Sequence, residues 1–78
     1  VPLIRQLRDQ VDAARRHELE HASRMLARGD DPEKVLEAFS KGLTNKLLHG
    51  STQALNDARG DERSRLAALL VRLFRIRA

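Results

Sequence analysis

The chain has no cysteine, tryptophan or tyrosine, and only two prolines and two phenylalanines among its 78 residues. Without cysteine there can be no disulfide, no thiol nucleophile and no thiolate zinc site, and the composition fits a reducing compartment such as the cytoplasm. With so few aromatics, leucine and alanine have to make the core, and nucleobases would find almost nothing to stack on. No stretch approaches the roughly 18–20 apolar residues of a membrane span. The N-terminus lacks the basic start, apolar block and small-residue cleavage site of a signal peptide, so a soluble protein with no membrane partner is expected. A glycine-rich phosphate loop is also missing, and Ser51 near His49 has no third group to orient a catalytic pair. No catalytic, cofactor-binding or metal-ligating residue is therefore expected.

The length leaves room for one domain, residues 1–78, and the start at Val1-Pro2 without an initiator methionine reads as part of something longer. Below about 70–80 residues a single core rarely supplies more than ~3–5 kcal/mol, and small scaffolds add disulfides, metals or a partner subunit. With disulfides excluded, a second copy is the expected source of stability.

Leucine, alanine, arginine and glutamate, all good helix formers, dominate the chain, and strand formers are few. A first helix is expected from about Pro2 to Arg28. Its apolar stripe is Leu3, Ile4, Leu7, Val11 and Ala14, continued after a one-residue shift by Leu19, Ala22 and Leu26. Gly29 ends it, Asp31 can cap the next helix, and Pro32 suits a first helical position. The second helix is expected over about Pro32 to His49, with Val35, Leu36, Phe39, Leu43 and Leu47 on one stripe. Gly42 in its interior costs about 1 kcal/mol relative to alanine, which the close approach of another helix would explain. Gly50 reads as a stop, with His49 at the negative end of the helix dipole. Ser51 or Thr52 would then cap a short helix through about Ala58. After Gly60, Asp61 would cap a last helix carrying Leu66, Leu69, Leu70, Leu73 and Phe74. The expectation is an all-α bundle of three to four short helices, with more apolar surface than it can hide alone. A fully buried leucine stabilises by about 1.5–3 kcal/mol, so pairing with an identical chain would be favoured. Ile4, Leu7, Val11, Leu43, Leu47, Leu70 and Phe74 are the expected interface residues.

Two patterns invite other readings. His17-Glu18-Leu19-Glu20-His21 matches the H-E-x-x-H spacing that places two zinc-binding imidazoles one helical turn apart. Its charged filler Glu20, the preceding Arg15-Arg16 and the want of a third ligand argue instead for a solvated face with intrahelical pairs such as Glu20 with Arg24. The net charge is +4, and Arg63, Arg65, Arg72, Arg75 and Arg77 follow one another without an acid between or after them. An arginine-rich helix contacting tRNA or other nucleic acid is the alternative this raises; no recognisable nucleic-acid module accompanies it.

The run Leu43-Thr44-Asn45-Lys46-Leu47-Leu48-His49-Gly50-Ser51-Thr52, followed by Leu55, resembles the signature near the C-terminus of glutamyl-tRNA reductases. That family shows N-K-L-L-H, one variable residue, then P-T and a downstream leucine. Asn45, Lys46, Leu47, Leu48, His49 and Thr52 fall on those positions, and Ser51 stands where proline is usual. Pro2-Leu3-Ile4-Arg5-Gln6-Leu7-Arg8 is similar to the family's entry into this segment, and Leu73-Phe74 to its end. The resemblance implies a helical domain that pairs two subunits. It also implies a parent oxidoreductase that reduces the glutamyl ester of tRNA(Glu) with NADPH to glutamate-1-semialdehyde for tetrapyrrole (porphyrin, heme) synthesis. The catalytic cysteine and the dinucleotide-binding domain of that enzyme precede this segment, so the fragment itself would be no enzyme and would hold no cofactor. For Asn45, Lys46 and His49 the expectation is hydrogen bonding and dipole pairing at a helix end, with contact to tRNA or another domain of the parent as the functional alternative.

Overall fold

The computed structural model describes residues 2–77 and consists of three α-helices: α1 (Pro2–Ala27), α2 (Pro32–Asp57) and α3 (Gly60–Leu73). The described residues contain no strand. The chain divides into two compact units, Val1–Leu47 and Leu48–Ala78.

In the first unit α1 and the leading part of α2 form a helical hairpin. Gly29 adopts a φ of +91°, a left-handed value that a Cβ would strain. Its N–H bonds the Leu26 carbonyl at 3.1 Å, and the Asp30 N–H reaches back to Met25 at 3.1 Å. These two bonds make a Schellman cap and satisfy carbonyls that the end of α1 would otherwise leave open. Arg28 clasps the Asp30 carboxylate at 2.8 Å across the same turn. That bond holds the guanidinium above its already high range. Next, the Asp31 carbonyl accepts from the Val35 N–H at 3.0 Å, and Pro32 opens α2. Gly29 ends α1 and Pro32 opens α2 as the sequence reading has it, while Asp31 contributes its backbone carbonyl.

The face that α1 buries differs from the stripe expected for its second half. Ala22 is buried, and Ala14, Glu18 and Met25 are half-buried. At 100° per residue these four share one face. Leu19 and Leu26 lie off that face and are about half exposed. On α2, Val35 is the most deeply buried residue, with Phe39, Gly42 and Leu43 half-buried one and two turns on. A Cβ on Gly42 would collide with the Glu18 carboxylate. The close approach expected at Gly42 is therefore present, and what meets it is the side chain of an acid.

In the second unit α2 does not stop at Gly50. It continues unbroken through Ser51 and Thr52 to Asp57, so neither residue caps a separate helix and His49 is interior, not terminal. Ser51 and Leu55, just beyond the glycine, are half-buried, and the glycine's intrinsic cost is only about 1 kcal/mol. What ends α2 is a pair of arginines. Arg59 donates to the Asn56 carbonyl at 2.8 Å and the Ala58 carbonyl at 3.2 Å, and Arg63 donates to Leu55 at 2.8 Å. The α3 start also differs from expectation. Arg59, extended and with no side-chain capping bond to α3, occupies its N-cap, while Asp61 sits with Glu62 in the first turn, where carboxylates favour the positive end of the dipole. At the other end Arg75 takes a φ of +51°, and the Ile76 N–H bonds Val71 at 2.9 Å while the Arg75 N–H bonds Arg72 at 3.4 Å. This is a second Schellman cap, with arginine where glycine is usual.

Candidate functional site

The most informative surface is apolar. Among the described residues only Ala22, Val35 and Ala58 are buried hydrophobics. Leu3, Ile4 and Leu7 are 71%, 69% and 63% exposed, and Val11 is 38% exposed. Ile4, Leu7 and Val11 lie on the same face of α1 that Ala14, Glu18 and Met25 continue, in three-and-four steps. One stripe therefore runs the length of α1. Its second half is sheltered and its first half is open, forming a shallow depression with Arg8 and Asp12 at its rim. An open apolar stripe of this kind marks an interaction surface.

The second unit carries a groove of about 380 Å³. Leu48 and Leu55 of α2 line one wall, Leu70 of α3 and its C-cap residue Phe74 the other, and Ile76 closes one end. Leu70 is half-buried and Phe74 is 55% exposed. Of the remaining residues expected at an interface, Leu43 is half-buried on α2 and Leu47 is 43% exposed. Leu69 and Leu73, off the groove, are also exposed, which the sequence stripe did not separate from Leu70.

Asn45, Lys46 and His49 are exposed along the middle of α2 and enter no side-chain hydrogen bond or ion pair among the described residues. They do not serve a helix end. Thr52 faces the groove instead. His17 and His21 are exposed, whereas Glu18 between them is turned toward Gly42, so the glutamate is not beside the imidazoles as a zinc-site base would be. The described residues contain no group of three or more side chains that could hold a metal ion. Among them the ion pairs are Asp12 with Arg15, Arg28 with Asp30 and Glu37 with Lys41, and Glu20 does not pair with Arg24. Among the described residues no helix is long and apolar enough to cross a membrane. Arginine capping of α2 by Arg59 and Arg63 was not foreseen: the donor of the second bond lies eight residues beyond its acceptor, outside any local capping pattern.

Comparison with known proteins bears on these surfaces. Residues 1–76 match the family model described as the dimerisation domain of glutamyl-tRNA(Glu) reductase. A glutamyl-tRNA reductase of Nitrosomonas europaea is 54% identical over 76 residues, which is 97% of this chain and 18% of that relative. The chain thus spans under a fifth of the length of this relative. No solved structure matches it.

Proposed function

Since the chain belongs to the glutamyl-tRNA reductase dimerisation-domain family, we propose that residues 1–78 act as one domain that joins two identical subunits. Ile4, Leu7, Val11, Leu43, Leu47, Leu70 and Phe74 form the contact. The observation that carries this reading is the uncovered half of the α1 stripe. Ile4 and Leu7 stay more than 60% exposed on a face that is sheltered a few turns later. Covering such residues is worth about 1.5–3 kcal/mol each.

The longer protein is an oxidoreductase of the cytoplasm. It reduces the glutamyl ester of tRNA(Glu) with NADPH to glutamate-1-semialdehyde, which feeds tetrapyrrole and heme synthesis. This segment supplies none of that chemistry. It has no cysteine and no glycine-rich dinucleotide loop, so NADPH and the reacting ester belong to other parts of the enzyme. Its contribution is to hold two catalytic units at a fixed separation, with tRNA(Glu) as the parent's partner.

Light scattering behind size exclusion, over a hundredfold range of concentration, tests the dimer. A mass of twice 8.8 kDa that holds on dilution is expected. A monomer throughout overturns the reading.

A further inference from the structure

We propose that the groove of the second unit receives the N-terminal half of α1 from a second copy of the chain, and that the exchange is reciprocal. The inference rests on the dimer reading above and adds which surfaces meet.

Three stripes match in length. The groove walls run from Leu48 to Leu55 on α2 and from Ala67 on α3 to its C-cap Phe74, and the open stripe of α1 runs from Ile4 to Val11. Each covers seven residue steps, about 10.5 Å at the α-helical rise. The groove lining is apolar apart from Ser51 and Thr52. Against it, Ile4, Leu7 and Val11 present knobs at the spacing that fits holes between two facing helices.

Charge supplies one contact to test, although the α1 rim carries Arg8 as well as Asp12. From Arg63 to Arg77 there are five arginines and no acid, and Arg75 stands in the chain between Phe74 and Ile76, both in the groove lining. Asp12 lies on the α1 rim, and among the described residues its ion partner is Arg15 at 4.0 Å. Insertion of the stripe brings this carboxylate to the cationic rim.

Symmetry favours the exchange as well. If α1 paired with α1 of the other copy, the grooves of both copies would stay open. Reciprocal insertion covers stripe and groove in both copies under one twofold axis.

The chain has no native cysteine, so single-cysteine variants report one position each. Leu7→Cys and Val71→Cys chains of different tagged mass are mixed, allowed to exchange subunits and treated with a short bismaleimide. Light scattering is run on the same samples, and circular dichroism checks folding, with Phe74→Cys replacing Val71→Cys if that variant is unfolded. The expected result is a dimer in which the mixed 7–71 product exceeds the 7–7 and 71–71 products several-fold. A dimer cross-linked mainly 7–7 overturns the pairing and leaves the dimer reading intact. A monomeric mass overturns the dimer reading itself. As a second arm, Asp12→Arg should weaken association about tenfold and Arg75→Asp should restore it; unchanged association in Asp12→Arg removes the charge contact from the proposal.

Discussion

Arg63 donates a hydrogen bond from Nη1 to the carbonyl oxygen of Leu55 at 2.8 Å, closing the end of one helix from the first turn of the next. The last turn of α2 contains no basic residue of its own. A cation at this point satisfies an open carbonyl and meets the negative end of the helix dipole. Arg63→Ala should therefore destabilise the chain by about 1 kcal/mol, since the bond is exposed, lowering the melting temperature by roughly 4–8 °C. Thermal denaturation followed by circular dichroism measures it. An unchanged midpoint would mean that Arg59 alone secures this end.

Two glycines should respond to alanine with opposite signs. Gly50 is exposed within α2, and a Cβ there meets nothing within 4 Å, so Gly50→Ala should stabilise by about 1 kcal/mol. Gly29 has the left-handed φ of the α1 cap, and Gly29→Ala should cost about 1 kcal/mol. Urea melts of the two variants decide this. A loss of stability in Gly50→Ala would show that α2 breaks there after all.

Gly42 and Glu18 should be energetically coupled. Alanine at 42 gains helix propensity, about 1 kcal/mol, but must push aside the Glu18 carboxylate, the far end of a flexible side chain. The two effects oppose, so Gly42→Ala alone should be close to neutral. In a Glu18→Ala background the same change should stabilise by the full propensity gain. A double-mutant cycle with no coupling would place Glu18 elsewhere.

Charged substitutions should sort the expected interface residues. Leu7→Glu alters a residue that is 63% exposed in the single chain, so it should raise the dissociation constant more than about tenfold while helicity persists at high concentration. Leu47→Glu and Leu70→Glu should dissociate or unfold the chain, Leu70 being half-buried in its own groove. Sedimentation equilibrium with far-ultraviolet circular dichroism separates the outcomes. Fully dimeric, folded variants would remove those residues from the interface.

Much of the architecture is written locally. Gly29 followed by Asp30-Asp31-Pro32 encodes the turn between α1 and α2, because each residue there meets a backbone requirement that few others satisfy. Gly42 likewise announced a close contact. Gly50 misled because a glycine inside a helix and a glycine ending one look alike in sequence. The choice depends on burial of residues such as Leu55 and on the remote bond from Arg63. Asp61 misled for a similar reason: a carboxylate in the first turn and one at the N-cap both follow from the same dipole. For the candidate surface, the open stripe Ile4, Leu7 and Val11 was legible, since its spacing needs no partner to be seen. The groove was legible only in Leu70 and Phe74. Its other wall, Leu48 and Leu55, was not, because the expected stop at Gly50 put those two leucines on separate helices.

The small number of buried residues has a thermodynamic consequence. With Ala22, Val35 and Ala58 as the buried hydrophobics among the described residues, most of the apolar area that could stabilise the chain lies at its surface. In the proposed dimer, folding and association are one equilibrium of second order in chain concentration. Its melting temperature should climb with every dilution step reversed, and the isolated segment should unfold at concentrations where a self-sufficient domain of equal length would not. Within a longer protein the same rule makes abundance a control on architecture: a scarce subunit loses its partner and its local order together.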